Sequence, residues 1–117
     1  SQTVLVLVNN ATPGDLLFLK KVLAAVNLDT DDIGLLTLGN VSPSDVRDAI
    51  FGGQVQHFMA FGATFAEADI DIRITPYEPV RFFGTTFLMA DALADIEADR
   101  SLKKRLWETL KQVFAWR

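Results

Sequence analysis

Five consecutive apolar residues, Val4-Leu5-Val6-Leu7-Val8, precede Asn9-Asn10 and set the strongest constraint on the fold. The run is rich in β-branched residues and does not alternate with polar ones. A strand that faced water on one side would alternate, so this one predicts a central strand covered on both faces, as in a parallel sheet. Such a strand needs a layer of helices above it and another below, and the next residues begin to supply them. Thr12-Pro13-Gly14-Asp15 opens a helix, with Thr12 as N-cap, Pro13 at the first helical position and Asp15 at the positive dipole end. Leu16, Leu19, Leu23 and Val26 follow at spacings of three and four, and the helix is expected to end near Asn27.

The device then recurs. Ile33–Leu38 reads as a second strand, Ser42-Pro43-Ser44-Asp45 as a second capped start with Ser42 as cap, and Val55–Phe61 as a third strand. The helix between them is expected to stop at Gly52-Gly53 in a left-handed C-cap. Ile70, Ile72 and Ile74 alternate with Asp71, Arg73 and Thr75, the pattern of a half-exposed edge strand, interrupted by Pro76 and Pro79. Val80–Phe83 and Thr85–Met89 flank Gly84 as a hairpin or as one kinked strand. Leu102, Leu106, Leu110 and Val113 form the stripe of an amphipathic C-terminal helix capped by Asp99, with Trp107 and Phe114 widening its apolar face. The expected fold is a single α/β domain over residues 1–117, a three-layer sandwich around a mainly parallel sheet.

Composition limits the chemistry. With no cysteine the chain has no disulfide, thiolate metal site, iron–sulfur cluster or thiol nucleophile. Its one histidine, His57, falls inside the third strand, which favours a structural or surface role over catalysis. The acidic stretch Asp29-Thr30-Asp31-Asp32 lacks the glycine and distal glutamate of a calcium loop and reads as a solvated connection. Gly62-Ala63-Thr64 follows a strand, but no phosphate-cradling glycine motif accompanies it. Asp69 and Asp71 read as carboxylates pointing at water. A net charge of −4 opposes non-specific nucleic-acid binding, although six basic residues fall between Arg100 and Arg117. No apolar run approaches the roughly 20 residues that span a bilayer. The chain is therefore expected to be soluble and cytoplasmic, without a cofactor or metal. Phe58, Phe61, Phe65, Phe82, Phe83 and Phe87 lie in the strands without interleaved basic residues, which favours core packing over stacking on bases.

Three stretches resemble the uracil-DNA glycosylase superfamily. Phe18–Leu28 with Asp31-Asp32-Ile33 is similar to its first helix and second strand, Phe61–Ala66 to the turn after its third strand, and Thr86–Leu93 on to Lys111 to its last strand, turn and helix. At the turn where that family carries a His-Pro-Ser motif, this chain has Met89, Ala90 and Asp91, so the resemblance implies the scaffold without the reaction. Ala92-Leu93, Asp99, Lys103-Lys104-Arg105 and Leu106-Trp107 also resemble the C-terminal signature of the psi-subunit family of bacterial DNA polymerase III. That second resemblance implies a non-catalytic module that links clamp-loader and other replication proteins. Such a module needs an exposed apolar or aromatic patch, expected at Trp116, Phe114 and the segment Val80, Arg81, Phe82, Phe83. Two other readings stay open: a nucleotide or nucleobase hydrolase using Asn9, Asn10 or Asp91 at the strand ends, and a small-ligand or nucleic-acid binding domain without chemistry.

Overall fold

A computed structural model describes residues 3–52 and 54–114. Strands β1 (Val4–Val8), β2 (Ile33–Thr37), β3 (His57–Phe61), β4 (Val80–Phe82) and β5 (Thr85–Ala90) form one sheet in the order β2-β1-β3-β5-β4. The first three and β5 run parallel, and β4 pairs antiparallel with β5 at the edge. Helices α1 (Pro13–Ala24), α2 (Pro43–Phe51), α3 (Leu93–Ala98) and α4 (Arg100–Phe114) cover it.

The non-alternating first strand does what its composition requires. Val4, Val6 and Val8 pack with α1, α3 and α4, whereas Leu5 and Leu7 pack with α2 on the opposite face. All five are buried, and burial of each such side chain favours folding by roughly 1.5–3 kcal/mol. The result is a three-layer α/β arrangement. Among the described residues, no helix is long and apolar enough to cross a membrane.

Local chemistry explains the helix starts. Thr12 Oγ1 accepts the Asp15 N–H at 3.1 Å while the Asp15 carboxylate accepts the Thr12 N–H at 3.0 Å, a reciprocal box that satisfies two otherwise orphaned donors. Ser42 holds the N-cap position of α2 but makes no side-chain cap bond, because its hydroxyl pairs with Ser44 Oγ at 3.0 Å. Gly52 does not adopt the expected left-handed cap. It is right-handed, with its N–H donating to the Asp48 carbonyl at 2.8 Å, and Gly53 lies outside the described residues.

The isoleucine alternation does not make a strand. Ile70 is buried and Ile72 and Ile74 are half-buried against the α2-side core, but residues 70–75 join no ladder. The edge of the sheet is already occupied by β4, so the segment lies across the face and its alternation records one-sided packing alone. Between Phe82 and Thr85 the hairpin turns through Phe83 (φ 52°) and Gly84 (φ 78°). Two positive φ values are the signature of the type I′ turn, whose twist matches the flanking strands. At the C-terminus, α3 precedes the expected helix. Asp99 separates the two, accepting the Ser101 and Leu102 N–H groups at 2.8 and 3.2 Å.

Candidate functional site

Three exposed phenylalanines converge in one place. Phe51 ends α2, and the β4–β5 hairpin brings Phe82 and Phe83 beside it. Their rings meet edge to face, 5.2 Å apart for Phe51 and Phe83 and 4.4 Å for Phe82 and Phe83. Phe51, Phe82 and Phe83 are 61%, 48% and 67% exposed, well above what core phenylalanines show. They border a groove of about 280 Å³ floored by Ile50, Ile70 and Phe87. Arg47 and Asp69 close its rim as a half-exposed ion pair at 3.5 Å. Asp71 lines the same groove, and both carboxylates are solvent-exposed at its border, as the sequence leads one to expect.

The six phenylalanines that the sequence places in strands therefore divide, with Phe65 and Phe83 lying in turns. Phe58, Phe61, Phe65 and Phe87 are core, whereas Phe82 and Phe83 are surface, a correction to the expectation that all six pack inside. Arg81 is exposed and Val80 half-buried on the same strand. The other interface candidates fare differently. Phe114 is buried, its ring stacked on that of His57 with centroids 4.3 Å apart, and is a core residue instead of a surface anchor. That contact also gives His57 its structural place. Trp116 lies outside the described residues. Trp107, expected on the apolar face of α4, is 41% exposed.

A second depression, of about 200 Å³, opens where β1 and β3 end. Asn9, Asn10, Asp15 and Gly62 line it, together with Ala92 and Leu93. The chain reverses direction across the sheet between these strands, and ligands of open α/β sheets gather at such points. Gly62, at φ 67°, lets β3 pass so close to the β5 exit that an added Cβ would stand 2.9 Å from Ala92 Cβ.

Asp91 does not line this depression. Its carboxylate accepts the Tyr77 O–H at 2.6 Å, and Arg105 covers the Tyr77 ring at 4.5 Å. Burial, reinforced by the Asp91 carboxylate, pushes the Tyr77 phenol up to about 12. The Met89 carbonyl takes the Tyr77 N–H at 2.9 Å and the Ala90 carbonyl takes the Gly62 N–H at 3.1 Å. All three positions equated with the glycosylase turn thus carry structural hydrogen bonds. Tyr77 itself had no periodic signal to announce it, since it lies in an irregular segment at φ 65°.

Asp29 accepts from the Thr30 hydroxyl and the Asp31 N–H, contacts that hold its carboxyl below the usual range, while Asp32 accepts the Asp29 N–H at 2.7 Å. The acidic stretch is a capped one-turn helix. Among the described residues, no group of three or more histidines and carboxylates converges as a metal ion would require. No family model and no curated protein matches the chain.

Proposed function

We propose that this chain is a protein-interaction module, and that it links replication proteins in the manner of the psi-subunit family. One observation carries the reading: Phe83 occupies a turn position with φ 52° while the residue is 67% exposed. A left-handed backbone costs a non-glycine residue roughly 1–2 kcal/mol, and type I′ turns favour asparagine or aspartate before glycine. A phenylalanine there gains little burial at home to offset that cost. Contact with a partner accounts for it, because strained conformations persist where function holds them. Phe51 and Phe82 extend the ring cluster into the kind of aromatic anchor that dominates interface energies.

The direct test is binding of the purified chain to purified bacterial clamp-loader subunits by sedimentation velocity. Phe83→Asn creates an Asn-Gly turn, so it keeps the hairpin while removing the ring. Combined with Phe82→Ser it is expected to weaken association at least tenfold without lowering the unfolding midpoint. Undiminished association would remove the aromatic cluster from the interface. Uracil release from single-stranded DNA by the purified chain would overturn the module reading itself.

The strand-end depression supports a second reading, a small-ligand site. Its exposed Asn9 and Asn10 amides offer paired donors and acceptors of the kind that read a nucleobase edge. A thermal shift with free nucleobases that disappears in Asn10→Ala would favour it.

A further inference from the structure

A separate groove lies on the other side of the sheet, between α1 and α4. These helices both pack on α3, and a depression of about 190 Å³ lies between them. Leu106 and Leu110 of α4 and Phe18 and Val22 of α1 supply its apolar lining, and Trp107 stands exposed at its edge. The charges on its border are of one sign. Lys21 from α1 and Lys103 from α4 both line it, and Lys111 lies 6.0 Å from the Trp107 ring centre. No lining residue is acidic, in a chain whose net charge is −4.

We infer that this groove docks an acidic amphipathic helix of a partner protein. A groove lined by two helices presents a trough into which the apolar face of a third helix can lie, anchored at i, i+3 or i+4, and i+7. Lysines on both banks select carboxylates on the flanks of that helix, and the same charges reject a basic one. Trp107 supplies the large, half-exposed ring typical of binding hot spots. The inference concerns the face opposite the phenylalanine cluster and stands whether or not that cluster binds clamp-loader proteins.

The probe is a short fluorescein-labelled peptide with leucine and phenylalanine at helical spacing and glutamate at the remaining positions. A control carries lysine in place of every glutamate. Fluorescence anisotropy against the full chain should show the acidic peptide binding at least tenfold more tightly than the control. Raising salt from about 0.05 M to about 0.5 M should weaken it several-fold, since rim charges are screened over that range. Trp107→Ala should cost tenfold or more. Lys21→Glu with Lys103→Glu, both changes at exposed positions, should cost about as much and flatten the salt dependence. Equal binding of the two peptides would refute the inference, as would variants that bind like the parent. Concentration-dependent dimerisation abolished by Trp107→Ala would assign the groove to a second copy of the chain instead.

Discussion

Replacing Tyr77 by phenylalanine tests how the irregular segment is fastened to the sheet. The phenol donates to Asp91 at 2.6 Å from a site only 8% exposed. Loss of a hydrogen bond to a charged acceptor costs about 1.5–3 kcal/mol, so urea unfolding at neutral pH should show Tyr77→Phe destabilised by about 2 kcal/mol. The pH dependence gives a second and independent reading. Burial first, and the neighbouring carboxylate second, raise the phenol from 10 to about 12. The folded state therefore holds the proton more tightly than the unfolded chain. Its stabilisation is complete below pH 10 and is lost as pH rises through about 12. Tyr77 is the only tyrosine, so tyrosinate absorbance reports this residue alone. Ionisation of the folded protein should be delayed well beyond pH 10, and the loss of stability from pH 10 to 12 should be smaller in Tyr77→Phe. A midpoint near 10 in the folded protein, or identical alkaline slopes for both proteins, would refute the reasoning.

Other perturbations follow from single contacts. Gly62→Ala forces a Cβ at φ 67° to within 2.9 Å of Ala92 Cβ, so left-handed strain and overpacking together should cost about 2–4 kcal/mol in denaturant unfolding. Thr12→Ala removes a made cap and should cost about 1 kcal/mol, whereas Ser42→Ala removes no cap bond and should leave the unfolding midpoint close to that of the parent. Asp99 is held below the usual carboxylate range by the Ser101 hydroxyl first and by the Leu102 and Ser101 N–H groups next. Its contribution is therefore present above about pH 4 and lost as pH falls through the lowered value. Asp99→Asn, which can still cap, should flatten that acid limb in thermal melts; an unchanged limb would place the acid sensitivity elsewhere.

Legibility in the sequence followed the range of the interactions involved. Val4–Val8 could be read correctly because covering both faces of a strand demands an unbroken apolar run. Thr12 and Asp99 could be read because a cap and its targets lie within three residues. The isoleucines at 70, 72 and 74 misled because alternation reports a one-sided environment, and any extended segment lying on a core produces it. Whether such a segment joins the ladder depends on which strand takes the edge, and here a hairpin later in the chain does so. The candidate surface was half legible. Phe82 and Phe83 were within a segment singled out, but Phe51 joins them through a contact 32 positions away in sequence. Phe114 went the other way, because its stacking on His57 depends on α4 crossing the face opposite α2.

The arrangement of the two grooves bears on what a linking module requires. A linker must hold both partners at once, so their sites cannot overlap. The phenylalanine cluster belongs to the α2 layer and the lysine-bordered groove to the α1–α4 layer, with the sheet between them. β1, β3 and β5 contribute side chains to both cores, which makes the sheet a closely packed partition rather than a hinge. Partners on the two layers would approach from opposite directions. The two proposed surfaces would also select differently, since aromatic anchoring depends on burial and lysine pairing on charge and salt. That difference makes one partner competing for both sites a poor fit to the surface chemistry. Under the proposed linking role, two distinct partners would sit on opposite faces of one closely packed sheet.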